Sequence, residues 1–488
     1  MRDFLIWLAR GQTWIHRFLE TILKIIYPYS AAAVAYRRGN LSTAKSLSHR
    51  RRKTLLAQRT EQMLNILNAG RALPDQPPPR QTKFNGSILF AVHSNGAYDT
   101  NGYAVRTEQA LDAISKKSLS ITVTTRPGYP WDLEKHATKP RMLTSTAGQH
   151  EYLHLTDETG LRRPELDYIS DYAIALAQIA RDEKVCVIHA HSNYLNGLAA
   201  AIAGRKVGCG VIYEMRGLWH VTRSSADPDY KNSEHYSYCE LMELEAARMA
   251  DRVVAISGAL KTWLAQRDVD PEKIVVVGNI ADPIPGIFEG RSTRIRSQKD
   301  TFHLGYIGAL SRYEGLDVLL EAVHLLVKEQ VRVNLTIAGD GAYAKALQRL
   351  SSHLGLTKQV RFLGRVPREQ TPILYQSFDA CPLPRRAYTV TELIPPLKPF
   401  EIMVHGVPII VSNLPPLAEI VAHEKRGLVF RPDCPESLAE AILKIRDNSA
   451  LAEQMAREAA NWVAAEASSA QMGRLYSDVY RDMCAPSS

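Results

Sequence analysis

The segment Cys381–Ser412, CPLPRRAYTVTELIPPLKPFEIMVHGVPIIVS, gathers more chemistry than any other stretch of the 488-residue chain. Three cations (Arg385, Arg386, Lys398) and two carboxylates (Glu392, Glu401) stand among Pro384, Pro395, Pro396 and Pro399, between two apolar runs. Proline stiffens a loop and is tolerated in the first turn of a helix. The pattern therefore predicts a rigid loop entering a helix near Phe400, followed by a short buried strand at Val407–Val411. In open α/β sheets, a loop at the carboxyl end of a strand that opens onto a helix is where phosphorylated ligands bind. Fixed cations there suit a diphosphate, and a carboxylate one turn into the helix suits sugar hydroxyls. The plain alternative is a surface loop with solvated charges.

Three further groups have spacing that could serve chemistry. In NGYAVRT (Asn101–Thr107), Gly102 lets the backbone approach a ligand closely, and Arg106 follows early in a helix, aimed at a cleft. The alternative is a turn glycine with a solvated arginine. His189 and His191 are two apart in the strand-like VCVIHAH (Val185–His191) and so share one face at its carboxyl end. No HxxxH and no cysteine partner lies nearby, so a metal site is not expected. Glu214 and Arg216 share a face at the end of a third strand-like run, as an ion pair inside the domain or as a cleft-lining arginine.

The elements that must position these groups alternate between strand and helix. Strand-like runs are Ile88–Ser94, Leu119–Thr125, Val185–His191, Gly210–Arg216, Arg252–Ser257 and Lys273–Asn279, with helices at Asn101–Ile114 and Ser170–Arg181. After the DPIPGIF turn (Asp282–Phe288) a second series begins: Phe302–Gly308, Val333–Gly341, Val360–Gly364, Phe378–Pro384 and Val407–Ser412. Such alternation predicts parallel sheets covered on both faces, in two consecutive Rossmann-like domains that face a cleft. The expected division is 1–83 as a basic helical arm with a proline-rich linker, then 84–288 and 289–465 as the two Rossmann-like domains. Residues 466–488 carry a helix near Met472–Met483 that crosses back onto the first domain.

Charge sets the arm apart. Residues 1–83 hold 15 Lys+Arg against 4 Asp+Glu, leaving 45 against 47 for the rest of the chain. A nearly neutral body argues against a nucleic-acid enzyme, whose working domain should itself be basic. The arm reads as helix, with Phe4, Leu5, Leu8, Ile15, Phe18, Leu19, Ile22 and Ile26 at helical spacing. A second helical stretch, Ala31–Leu47, breaks at Gly39-Asn40. With the cluster His49-Arg50-Arg51-Arg52-Lys53, residues 1–60 have features of a peripheral anchor to an anionic membrane surface. A hairpin packed on the body, or on a partner protein, is the alternative. Six scattered cysteines without a CxxC pair, no run of 18 apolar residues and no signal-peptide pattern lead to the expectation of a cytoplasmic protein, at the inner face of the membrane if the arm docks there.

Five motifs in order carry a resemblance: NGYAVRT, HAHSNYLNG (His189–Gly197), YEMRG (Tyr213–Gly217), LGYIGALSRYEGLDVLLEA (Leu304–Ala322) and TELIPPLKPFEIM (Thr391–Met403). The chain from Ile88 to about Tyr480 resembles retaining glycosyltransferases of the GT-B fold, family-four type. It is most similar to the subgroup associated with exosortase and exopolysaccharide clusters. The resemblance implies a nucleotide-diphosphate sugar as donor, a glycan or lipid-linked acceptor, front-face retention of anomeric configuration, and no metal or other cofactor. No Asp-x-Asp lies at a strand's carboxyl end, in keeping with that.

Residue by residue, the resemblance puts His191 on the donor sugar, leaves His189 structural, and puts Glu401 on the nucleotide ribose. Donor binding would fall to the backbone at Gly308 and Ala309, with Lys398, Arg312, Arg385 and Arg386 as cations. Gly102, Arg106 and Arg216 would line the acceptor side. Two departures stand out. Most family-four enzymes carry an arginine and a lysine where this chain has Ala309 and Glu314, a loss that Lys398 would offset. The paired glutamates are usually separated by seven residues, and eight places before Glu401 is Leu393, with Glu392 one place earlier. An inserted residue in the loop would still deliver Glu392 to the sugar. Two other readings compete. A dinucleotide enzyme would need GxGxxG after the first strand, which SNGAYDTNGYAV lacks. A non-catalytic scaffold with a partner-binding arm would keep this fold without turnover.

Overall fold

The computed structural model describes residues 28–48, 54–73, 85–99, 101–117, 119–157, 163–288 and 301–483. The apolar face from Phe4 to Ile26 and the basic cluster at 49–53 lie outside the described residues. The chain divides into two units. One comprises Met1–Ala255, Lys261–Val276 and Tyr476–Ser488; the other comprises Ile256–Leu260 and Val277–Leu475.

The first unit is built on strands β1 (Ser87–Val92), β2 (Ser120–Thr125), β3 (Thr144–Ala147), β4 (His150–His154), β5 (Val187–His191), β6 (Gly210–Met215), β7 (Arg252–Ala255) and β8 (Ile274–Val276). They form one sheet in the order β3-β4-β2-β1-β5-β6-β7-β8, parallel throughout except for the β3–β4 hairpin. Strands covered on both faces must be apolar on both, and from Ile88 to Val92 every residue of β1 is buried. From β1 the chain builds outward first through β2 and β4, then on the other side through β5 to β8. The order therefore reverses between β1 and β5, and there the carboxyl ends of the strands open a site. The hairpin was not expected, because TSTAGQHEYLH has none of the apolar alternation that marks a strand.

Helices Pro28–Arg37, Leu41–Ser48 and Leu55–Ala69 belong to this unit. The predicted break at Gly39 is a tight turn with φ +87°, where a Cβ would fall 2.3 Å from Ser233 Oγ. Only glycine fits there. His235 N–H donates to the Gly39 carbonyl, and Ser42 N–H donates to Glu234 at 2.8 Å. Thr54 caps the third helix by accepting from Ala57 N–H, and Gly70 closes it in the left-handed region. From that helix Arg59 reaches Glu165 at 3.5 Å, and Gln62 accepts from Leu166 N–H. Glu165 also accepts from the Tyr194 and Tyr238 hydroxyls, at 2.7 and 3.0 Å.

The second unit has two three-stranded sheets. One is β11 (Val360–Gly364), β10 (Val333–Ala338), β9 (Phe302–Ile307); the other is β12 (Cys381–Leu383), β13 (Ile409–Ser412), β14 (Leu428–Phe430). They meet where Leu304 bridges Ala380, with Gly305 N–H bonded to the Ala380 carbonyl at 3.0 Å. Counted in chain order, the strands run 3-2-1-4-5-6, the Rossmann order, with the reversal between β9 and β12. Helix Leu316–Lys328 buries Leu316, Leu319, Leu320, Val323 and Leu326 in the core of this unit.

Removal of residues 1–84 takes away the Glu165 ion pair and uncovers helix Glu234–Met249, against which the third helix packs. The truncated chain should melt several degrees below the full chain. An unchanged melting temperature in differential scanning calorimetry would mean that these helices contribute nothing to the unit.

Candidate active site

At the reversal point of the first unit, β5 ends on His191 and β6 ends on Met215, one residue before Arg216. Helix Gly102–Ser115 begins after Asn101, whose side chain accepts from Ala104 N–H at 3.0 Å. This fixed start delivers Arg106 to the interior. Arg106 Nε and Arg216 Nε each donate to Glu214 Oε1 at 2.8 Å. The Tyr476 hydroxyl donates to Glu214 Oε2 at 2.7 Å, and His189 Nε2 stands 3.1 Å from the same oxygen. Arg216 also donates to Thr107 Oγ1 at 2.6 Å and to the Tyr103 carbonyl. Its Nη2 stands 3.2 Å from His191 Nε2. A guanidinium only donates, so that nitrogen accepts and His191 carries its proton on Nδ1. Tyr480 hydroxyl completes the group at 2.9 Å from His189 Nδ1.

Every side chain of the group around Glu214 is buried. Burial works to raise the Glu214 carboxyl, but Arg216 and Arg106 overcome it and hold it well below the usual carboxylate range. Burial, then Arg216, pushes His191 well below the ordinary histidine value; His189 is lowered by burial against the pull of Glu214. Both rings are neutral at physiological pH. The ligand atoms of His189, His191 and Glu214 lie within 4.8 Å of one another, close enough to hold a metal ion. Both Glu214 oxygens are already occupied by donors, however, and two guanidiniums supply the positive charge a metal would bring.

Sequence reasoning aimed Arg106 at the cleft and left Arg216 as an ion pair with Glu214 or a cleft-lining residue; the structure puts both guanidiniums inside, on that one carboxylate. Gly102 is exposed at the start of its helix. Sequence reasoning missed Tyr476 and Tyr480, whose spacing of four places both hydroxyls on one helix face. It also missed a polar and aromatic group beyond β1. There Asn95 Nδ2 donates to Ser145 Oγ, and the Tyr129 hydroxyl donates to Asp99 at 3.0 Å. Tyr98 packs edge-on against Tyr129, His136 and His154.

In the second unit the loop after β9 is shaped by two close approaches. Gly308 has φ +154°, and a Cβ on it would fall 2.1 Å from Lys398 Cε. Gly315 has φ +69°, and its Cβ would fall 1.8 Å from the Pro384 carbonyl oxygen. Neither position admits a side chain. Lys398 opens helix Lys398–Val404, as the prolines predicted, and its Nζ lies 2.9 Å from Glu314 Oε2 and 5.2 Å from the centre of the Tyr306 ring. Arg385 is buried, donates to the Ile394 carbonyl at 2.9 Å and stands 3.7 Å from Glu314 Oε1. Arg386 is spent on Asp317 at 2.7 Å and Asp433 at 2.5 Å. Ala309 and Arg312 are exposed. Glu401 is half-buried beside Tyr375, whose phenol is raised by burial and then by that carboxylate. Glu392 is exposed on the short helix Thr389–Leu393. Of the donor-side candidates, the structure brings together Gly308, Lys398 and Arg385, and it does so around Glu314.

Residues 101–279 match the family described as glycosyl transferase 4-like domain, and residues 291–462 match glycosyl transferases group 1. The two matches lie in series over more than two thirds of the chain. The chain is a glycosyltransferase. A D-inositol 3-phosphate glycosyltransferase of Corynebacterium efficiens is 23% identical over 424 residues, 81% of this chain and 96% of that protein. Among solved structures, Anabaena HepE in complex with UDP is similar with a TM-score of 0.58 and 20% identity, over 81% of this chain and all of that one. Sucrose-phosphate synthase from Thermosynechococcus elongatus gives 0.64 and 18%, over 82% of this chain and all of that one. The fold of this glycosyltransferase is therefore GT-B, with two Rossmann-like domains and additional helices at its N-terminal side.

Removing the charge of Glu214 leaves two buried guanidiniums without an anion, a loss on the order of 3–5 kcal/mol. Glu214→Gln should melt well below wild type at pH 7. The pH dependence has a definite sign. Groups whose values are depressed on folding stabilise above their unfolded values and lose that contribution as pH falls. Wild-type stability should thus decline below about pH 6.5 through the histidines and further below about 4.3 through Glu214. The lower part of that decline should flatten in Glu214→Gln when melting is followed against pH.

Proposed function

We propose that this glycosyltransferase moves a sugar from a nucleotide-diphosphate donor to a glycan or lipid-linked acceptor with retention of anomeric configuration, without an essential metal, in the synthesis of cell-surface or exopolysaccharide. The observation that carries the donor assignment is the position of Lys398. It lies across Gly308 at the reversal point between β9 and β12, the place where sheets of this order receive a nucleotide. That HepE, which shares this fold, forms a complex with UDP supports a nucleoside diphosphate as ligand.

In this reading the diphosphate lies against the backbone at Gly308 and Ala309, Lys398 neutralises charge as the sugar–phosphate bond breaks, and Glu401 accepts from the ribose hydroxyls. Fixed donors aimed at charge that develops in the transition state are the usual largest contribution to such catalysis. Glu392, exposed on the short helix Thr389–Leu393, serves the sugar. The departing phosphate oxygen takes the proton of the acceptor hydroxyl as that oxygen attacks the anomeric carbon on the same face. His191, neutral and protonated on Nδ1, acts as a hydrogen-bond donor to the sugar and does not act as a base. The acceptor belongs to the first unit, where the group around Asn95, Asp99, Tyr98 and Tyr129 combines hydroxyl partners with aromatic faces.

The basic excess of the N-terminal residues supports docking on an anionic membrane, consistent with a lipid-linked acceptor. Co-sedimentation of the full chain with anionic and neutral vesicles, at low and high salt, tests it. Recovery in the supernatant under every condition would remove the membrane from the account.

A panel of nucleotide sugars assayed for nucleoside diphosphate release with glycan and lipid-linked acceptors tests the reaction itself. A scaffold would release none. With the active donor in hand, Lys398→Ala should lower kcat by about 100-fold, the scale of one lost transition-state donor. Glu401→Gln should weaken nucleoside diphosphate binding in calorimetry. Near-normal turnover in the first variant, or unchanged affinity in the second, would take that residue out of the site.

A further inference from the structure

The donor side of the second unit holds a carboxylate that the reaction outlined above does not use. Glu314 is 4% exposed. Its Oε2 lies 2.9 Å from Lys398 Nζ and accepts from the Tyr306 hydroxyl at 3.2 Å, while Oε1 stands 3.7 Å from Arg385 Nε. Burial opposes its charge, yet Lys398 and then Arg385 keep it ionised, below the ordinary glutamate value. The 3₁₀ turn Arg312–Glu314 and the tight Gly315 fix its backbone, and Arg386 N–H bonds to the Tyr313 carbonyl at 3.0 Å. Glu314 is held in place independently of Lys398.

Lys398 therefore meets any incoming phosphate with an anionic partner already on its ammonium. Its Cε crosses Gly308 and its Nζ faces the Tyr306 ring, so the side chain has little room to swing away from Glu314. The three charges, Lys398, Arg385 and Glu314, sum to one net positive charge. A diphosphate bound to Nζ places a second anion beside a buried carboxylate, where repulsion is weakly screened.

We propose that Glu314 is a positioning residue that acts through Lys398: it fixes the ammonium across Gly308 and opposes its hold on the nucleoside diphosphate, so that this product leaves after transfer. The inference rests on the donor reading of Lys398. A site with uncompensated cations would bind the product more tightly and release it more slowly.

The test is calorimetric titration of UDP, GDP and ADP into wild type and into Glu314→Gln, which keeps the shape and one acceptor oxygen but removes the charge. The dissociation constant of whichever diphosphate binds wild type should fall tenfold or more. With the active donor, kcat should fall with no rise in KM, and product release should show as a burst in the first turnover. Lys398→Ala in the Glu314→Gln background should abolish the tightening, because the effect passes through Lys398. Should Glu314→Gln fail to fold, Glu314→Asp keeps the charge but withdraws it from Nζ by one methylene. It should tighten binding to a smaller extent. Unchanged or weaker diphosphate binding in the folded variants would overturn the inference. If Lys398→Ala alone leaves diphosphate affinity untouched, the donor reading fails instead.

Discussion

Glu214 reaches no water, and a buried carboxylate without compensation would cost many times what any one hydrogen bond returns. Its presence obliges the chain to bring two guanidiniums and a phenol to one point. Arg106 comes from the helix after β1, Arg216 from the end of β6, and Tyr476 from the last helix of the chain. Each of these segments is thereby tied to the carboxyl ends of β5 and β6, where His191 stands. The position and the proton of His191 follow from Arg216, and Arg216 follows from Glu214. A requirement of charge compensation thus becomes a requirement of geometry.

The second unit solves the same problem with a different outcome. Glu314 is also buried and also faces two cations, but Lys398 keeps partial exposure, with 13% of its side chain accessible. In the first unit both cations are buried with the carboxylate, as suits a group that orients others. In the second unit Lys398 stays partly open to solvent, as the proposed exchange of one anion for another requires. The glycines carry the rest of the design. With a side chain at Gly308 or Gly315, neither Lys398 nor the Pro384 carbonyl could reach its place.

Much of this architecture was legible in the residues. Parallel strands covered on both faces show as largely apolar runs, so β1, β5, β9 and β13 could be located even though His189, His191 and His303 interrupt two of them. The prolines before Phe400 marked the start of a helix correctly, because proline restricts the backbone whatever surrounds it. The strand signal failed at β3 and β4, which contain mainly polar residues and pair with each other as an edge hairpin. Distance along the chain hid the role of the arginines. Arg106 lies 108 positions from Glu214, and Tyr476 lies 262 positions from it. Local pattern shows that Glu214 and Arg216 share a face, but not that a second arginine and a C-terminal tyrosine converge there. Likewise Glu314 could be read as a missing cation, whereas its pairing with Lys398 required the fold.

The account turns on the nucleotide end of the reaction lying at the β9–β12 reversal point. A crystal structure of the protein with its nucleoside diphosphate examines this most directly. The account predicts the distal phosphate within hydrogen-bond distance of Lys398 Nζ and the Ala309 backbone N–H, with the ribose hydroxyls on Glu401. A nucleotide bound away from the carboxyl ends of β9 and β12, touching neither Lys398 nor Glu401, would contradict it.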